Sequence, residues 1–171
     1  MKSARLVKSA SLALVGTVIL ALAPNSAIAS TTVSTTMAVT ATVASDCTVT
    51  ANPLAFGSYA GTALNVSTTI SVTCTNTTPY NVGLTQGNGS GASVTNRLMT
   101  NTATGSTQTL GYQLLSGSYN GTNWGNTSAT NWVTGNGTGA AQTLTVYGVV
   151  PANQFPTPGS YADTITVQVT Y

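Results

Sequence analysis

Histidine and glutamate are absent from this sequence of 171 residues, and its two lysines stand at positions 2 and 8. General acid–base catalysis depends mostly on such side chains, and only the carboxylates of Asp46 and Asp163 remain. Asp163 is better interpreted as fixing a turn or pairing with Arg97. With two cysteines and no histidine, a metal site would lack ligands. We therefore expect neither an enzyme nor a bound metal or cofactor.

Long apolar runs are missing, except for one near the start of the chain. Residues 12–23 are mostly apolar, follow three basic side chains and precede the small-x-small triplet 27–29. This pattern is typical of a secretory signal peptide, which we assign to residues 1–29. The run is shorter than the about 20 residues of a membrane helix. We expect an exported protein without a membrane span.

Charge becomes scarcer still when the signal is removed, because Arg97, Asp46 and Asp163 are then the charged side chains. No basic patch remains for nucleic acid, and no lysine remains for an isopeptide cross-link. The rest is rich in Thr, Ser, Asn, Gly and Val, a composition that favours strands and turns. Residues 47–171 are therefore predicted to form one all-β domain.

Alternation of apolar and polar side chains predicts about seven short strands, at a spacing that suits a β-sandwich. They cover residues 47–51, 64–74, 80–84, 98–99, 110–114, 144–150 and 161–171. The glycine-rich stretch 116–139 lacks this alternation and is interpreted as a long surface loop or hairpin. Its Trp124 and Trp132 either bind a ligand or hold the loop against the body of the domain.

The two cysteines, Cys47 and Cys74, lie in the first and second predicted strands. Because export leads to an oxidising compartment, we expect them to form a disulfide. A bond closing this loop would contribute about 3–4 kcal/mol in the chain-entropy model. Metal binding is the weaker alternative, because further thiols and histidines are missing.

The stretch 31–43, TTVSTTMAVTATV, alternates strictly although it precedes the domain, where tails are usually featureless. Its apolar side chains share one face of an extended strand of roughly 43 Å. They are Val33, Met37, Val39, Ala41 and Val43. This face must be buried, either as an ordinary first strand of its own domain or in a partner.

Several motifs resemble the spore coat protein U domain, which also forms the subunits of Csu-type archaic chaperone–usher pili. They are Phe56-Gly57-Ser58-Tyr59, Val72-Thr73-Cys74, Pro79-Tyr80, Arg97-Leu98-Met99, Leu110-Gly111-Tyr112 and the closing Pro158-Gly159-Ser160-Tyr161-Ala162-Asp163-Thr164-Ile165. The closing motif is the most specific of these.

The resemblance implies an incomplete immunoglobulin-like sandwich that is completed by donor-strand complementation. Residues 30–46 would be the donor extension, which fills the groove of a neighbouring subunit. A periplasmic chaperone would occupy that groove first, until the outer-membrane usher exchanges it for the donor. The residues expected to form the groove and the chaperone-pairing strand are Ile165, Val167, Val169 and Tyr171.

The function implied by the resemblance is that of a pilus shaft subunit, built from identical or related neighbours, that supports surface attachment and biofilm formation. One alternative is a secreted spore-coat or surface-coat structural protein of the same domain. Another is a Thr-rich secreted protein that binds ice or another surface. A tip adhesin would need an extra binding domain, for which the stretch before Cys47 leaves no room.

Overall fold

The computed structural model describes residues 28–127 and 130–171. The predicted signal peptide, residues 1–29, falls outside the described residues except for its last two positions. The chain divides into two units, residues 1–40 and 41–171. In the described part of the first unit, residues 28–40 form no strand or helix, and all of them are exposed.

The second unit is a sandwich of two antiparallel sheets. Its strands are β1 (Cys47–Ala51), β2 (Leu64–Cys74), β3 (Pro79–Leu84), β4 (Arg97–Asn101), β5 (Thr109–Ser116), β6 (Thr122–Asn123), β7 (Val133–Asn136), β8 (Gln142–Val150), β9 (Tyr161–Ala162) and β10 (Val167–Thr170). Within the described ranges, no helix is long and apolar enough to cross a membrane. The prediction of an all-β fold is confirmed.

Strand β2 organises the first sheet, whose order is β1-β2-β8-β5-β4-β9 with β6 also paired to β5. Leu64, at the start of β2, pairs with Val150, and Cys74, at its end, pairs with Cys47. The 11 residues of β2 span about 33 Å. We call the two ends of the sandwich the Leu64 end and the Cys74 end.

The core lies between this sheet and the second one, whose order is β10-β3-β7. Alternate side chains of β2 and β3 face each other across it, and each is at most 2% exposed. They are Ile70, Val72 and Cys74 from β2, and Tyr80, Val82 and Leu84 from β3. Period-two alternation predicted these faces correctly, because a strand turns every second side chain to the same side.

The expected disulfide is present between Cys47 and Cys74. It joins the first residue of β1 to the last residue of β2, which are partners in the sheet register. The point where the N-terminal extension meets the domain is therefore covalently fixed to the Cys74 end.

The C-terminal stretch differs from its prediction, because one alternating run forms two strands in different sheets. β9 pairs with β4 in the first sheet, whereas β10 pairs with β3 in the second. The chain crosses from one sheet to the other through residues 163–166. Odd-numbered side chains from 161 to 169 stay half-buried on both sides of the crossing, so the alternation continues through it.

The predicted loop or hairpin at residues 116–139 contains two strands: β6 forms a hairpin with β5, and β7 forms one edge of the second sheet. This strand is short, and its sequence, VTGN, carries no apolar repeat. Trp124 is 1% exposed, and its indole N–H donates to the Val82 carbonyl at 2.8 Å. This tryptophan fixes its segment to the body of the domain, while Trp132 is half-buried.

Candidate binding groove

An apolar groove of about 1120 Å³ opens between the two sheets at the Leu64 end. Its floor consists of core side chains from β2, β3, β5 and β8. They are Ile70, Leu84, Leu110, Tyr112, Leu114 and Val146. Because both sheets contribute, the groove is a gap in the core itself and not a cleft on the surface.

Two largely irregular segments, residues 51–61 and 154–165, line the groove above this floor. The first begins at the last residue of β1, and the second contains β9. In the first, Leu54 and Phe56 pack against the core, and the Phe56 ring meets Tyr112 edge to face at 5.9 Å between centroids. A Cβ atom at Gly148 would lie 2.9 Å from both Leu54 and Phe56. The absence of a side chain at Gly148 thus lets the first segment lie directly on β8.

Asp163 fixes the second segment at the point where it leaves the first sheet. Its Oδ1 atom accepts the main-chain N–H groups of Asn88 and Thr164, each at 2.7 Å. Its Oδ2 atom accepts the hydroxyl of Tyr112 at 2.7 Å. Burial raises the pKa of Tyr112 well above its ordinary value, and the bond to Asp163 adds to this. The tyrosine therefore remains a donor, and Asp163 has the turn-fixing role expected of it.

Arg97 is fully buried, and its guanidinium bonds to main-chain carbonyl oxygens. The acceptors are Thr85 at 2.9 Å, Val94 at 2.9 Å, Leu84 at 3.2 Å and Trp124 at 2.6 Å. Burial lowers the pKa of Arg97 to about 10. These bonds hold the end of β3 and the tryptophan segment together, so Arg97 supports the side of the groove that contains Leu84.

Replacing Asp163 by asparagine should lower the free energy of unfolding by about 1–3 kcal/mol, because an amide can accept fewer of these three hydrogen bonds. Urea unfolding of the refolded protein, kept dilute to avoid aggregation, measures this loss. Asp46→Asn is the matched control, because Asp46 is exposed and its carboxylate accepts only a long bond, 3.4 Å, from Tyr171. An equal loss in both variants would contradict the anchoring role of Asp163.

The residues predicted to form the groove lie along β10 and next to it. Ile165 and Val167 line the groove, and Val169 packs against the core closer to the Cys74 end. Tyr171 is 55% exposed. β10 is an edge strand that pairs with β3. Among the described residues, no strand pairs with its other edge, although β1 lies close to β10 at the Cys74 end.

The residues predicted to form the donor strand are exposed. Val33, Met37, Val39 and Val43 are 82–94% exposed, and Ala41 is exposed as well. The described residues from 28 to 46 form no strand. Within the described residues, the apolar side chains of this stretch are therefore not covered by a paired strand.

Sequence reasoning missed the segment 51–61 as part of the groove, although it placed Phe56 in the core. A usable signal was present. Leu54, Phe56 and Tyr59 are spaced irregularly between two well-patterned strands, which indicates an apolar stretch that covers a core without joining a sheet. Leu110 and Leu114 of β5 also line the groove. Their alternation predicted a buried strand face, but nothing in the sequence indicated that this face would line a groove.

Comparison with known families gives one match, to the model of the Spore Coat Protein U domain, over residues 33–168. The matched region contains the sandwich, except for the second half of β10, and most of the alternating stretch 31–43. No match was found among the curated proteins.

The solved structures to which the chain is similar include two from pili. One is the CsuC–CsuE chaperone–tip adhesion subunit pre-assembly complex from archaic chaperone–usher Csu pili of Acinetobacter baumannii, with 27% identity and a TM-score of 0.56. That match covers 76% of this chain and 40% of the other chain. The present chain therefore spans less than half the length of that protein. The other is HdaB, the E. coli Hda pilus minor tip subunit, with 17% identity, a TM-score of 0.34, and coverage of 72% of this chain and 79% of that one.

Proposed function

The chain belongs to the Spore Coat Protein U domain family, and on this basis we propose that it is a pilus subunit assembled by donor-strand exchange. Its groove receives a strand from one neighbouring copy, and residues 30–46 enter the groove of another. The observation that carries this proposal is an apolar gap in the core, beside an edge strand, in a chain that also has an exposed apolar extension. Strand addition at such an edge combines main-chain hydrogen bonds with side chains in pockets.

The positions of the groove and of the extension favour a partner over self-insertion. Asp46 is fixed at the Cys74 end, because its carbonyl accepts the N–H of Thr75 at 2.9 Å. The groove opens at the Leu64 end, about 33 Å away along β2. Residues 31–46 contain neither glycine nor proline, so a sharp reversal before Cys47 is disfavoured. A contact between opposite ends of two copies is heterologous, and it produces a filament when its rotation does not close into a ring.

This arrangement also sets the direction of the donor strand. It enters from the Leu64 end, with Val43 near the mouth and Val33 deepest, and therefore runs antiparallel to β10. Burial of its five apolar side chains contributes at most about 7–15 kcal/mol before entropy costs. At the Cys74 end β1 lies close to β10. β1 and β10 must therefore move apart at the Cys74 end, so that Met37 and Val33 of the donor strand can enter between them.

We assign the subunit to the shaft, because an extension and a groove in one chain provide for a neighbour on each side. Export is directed by the signal peptide at residues 1–29. A periplasmic chaperone then occupies the open edge of β10, and the outer-membrane usher exchanges it for the next donor. The similarity to a chaperone–subunit complex supports the chaperone step. Fibres of this kind on the cell surface would support attachment and biofilm formation.

The test is expression in the periplasm with and without a chaperone of this pilus class. Alone, the subunit should be degraded or aggregate, because its groove leaves core side chains without partners. With the chaperone it should accumulate as a soluble one-to-one complex. A subunit that is equally abundant and stable without the chaperone would contradict the proposal and favour a self-sufficient coat protein.

A further inference from the structure

Phe155 is 86% exposed at the rim of the groove. A phenyl group so exposed loses favourable burial, and phenylalanine is enriched at protein interfaces relative to the rest of the surface. Phe155 follows β8 and therefore lies at the Leu64 end, where the groove opens. It is separate from the floor side chains that receive the donor strand.

The main chain that carries Phe155 is held firmly by its neighbours. The side chain of Gln154 makes two bonds to the backbone of Gly111, accepting its N–H at 2.8 Å and donating to its carbonyl at 2.9 Å. The N–H of Asn153 donates to the carbonyl of Gly61 at 2.9 Å. The phenyl ring lies over Gly61, where a Cβ atom would be 3.3 Å from Cε1. One face of the ring is thus supported, while the rest is open.

A hollow of about 340 Å³ lies at the Cys74 end, lined by residues 43–45 and 75–79. We call it the exit hollow, because residues 43–45 are also the point where the extension leaves the domain. The turn beside it is fixed: the N–H of Thr77 donates to Gly137 at 2.8 Å, and the hydroxyls of Thr75 and Thr78 are 2.6 Å apart. Its lining combines the apolar Val43, Ala44 and Pro79 with hydroxyl and amide side chains. None of these residues carries a charge, so an apolar group can enter without desolvating an ion.

We propose that Phe155 of one copy packs into the exit hollow of the next copy along the fibre. This inference rests on the proposed function, because donor-strand exchange brings the groove mouth of one subunit against the base of its neighbour's extension. Phe155 and the exit hollow lie at opposite ends of β2, so they cannot meet within a single subunit. Val43 belongs to both the donor strand and the hollow, and its insertion carries the hollow to the rim where Phe155 stands. The contact would hold adjacent subunits at a fixed angle.

The test introduces a cysteine at each surface in the same chain, Phe155→Cys with Asn76→Cys. Asn76 is exposed within the hollow, and the described residues contain no free cysteine that could interfere. Fibres of this variant, treated with a short thiol-specific cross-linker, should run on a denaturing gel as a ladder of covalent multimers. The matched control is Phe155→Cys with Thr145→Cys, because Thr145 is exposed on the outer face of β8 and far from the hollow. The control should remain monomeric on the same gel.

The outcomes separate this contact from the proposed function. If the double variant forms fibres but no ladder, the contact is wrong and donor-strand assembly stands. If Phe155→Cys alone gives cross-linked dimers as the main product, the phenyl groups meet each other, and the contact is equally wrong. If the parent chain forms no fibres with its chaperone and usher, the proposed function fails, and this inference fails with it.

Discussion

Replacing Val39 by arginine should abolish polymerisation while leaving a folded subunit that is exported and binds its chaperone. In the proposed register, Val39 enters the apolar part of the neighbour's groove, where a charge without a partner costs several kcal/mol. Thr40→Arg is the matched control, because the neighbouring side chain points away from the groove and its charge stays in water. Both residues are exposed in the free chain, so neither change should affect folding. Fibre yield from sheared cells and the chaperone complex from the periplasm measure the two effects.

Two results would contradict the donor strand. If the Val39→Arg subunit is lost from the periplasm as unfolded protein, the stretch 31–43 is an ordinary first strand of its own domain. If the variant forms fibres as resistant to denaturant as those of the parent, Val39 does not enter a groove. The Thr40→Arg fibres provide the comparison in both cases.

Deletion of residues 167–171 should abolish the chaperone complex. This change removes β10, the edge strand whose open side the chaperone is proposed to occupy. It also removes Val167 and Val169, which pack against the core. Co-purification of the tagged chaperone from periplasmic extracts measures the loss.

A control for this deletion keeps the strand and changes only its outer face. Gln168 and Thr170 are the exposed, outward residues of β10, and their replacement by alanine should preserve the complex. Normal recovery of the chaperone with the deleted chain would show that it binds elsewhere. Loss of the complex in the alanine variant would place the recognition on side chains of the outer face instead of on the open edge.

The strands that could be predicted from the sequence are those with one face in a continuous core. β2, β3 and β5 alternate because each contributes every second side chain to the space between the sheets. The disulfide was also predictable, since two cysteines in a chain that is expected to be exported leave one intramolecular pair.

The assignment of strands to sheets could not be predicted, because alternation reports which face is buried and not which neighbour is bonded. The stretch 161–171 shows this most clearly. Its odd positions face the same core before and after the crossing at 163–166. The interruption depends on Asp163, whose partners Asn88 and Tyr112 are distant in sequence.

The groove was implied by a resemblance and not by any local pattern. Its lining combines β2, β3, β5 and β8 with two irregular segments, so it exists only once the sheets have formed. The buried Arg97 is similar in this respect. Its acceptors are carbonyl groups, which every residue has, and no side-chain pattern marks them in advance.

The disulfide lies at the point where a stretched fibre would apply tension to each subunit. A pull on the extension reaches the domain at Asp46 and passes through Cys47 directly into Cys74. From Cys74 the load runs along β2. The nine register pairs between β2 and β8 are then loaded in shear, all at once and not one after another. The bond therefore bypasses the short β1, which would otherwise peel away first under mechanical load. In the proposed fibre, this path would protect the groove from being forced open when the fibre is pulled.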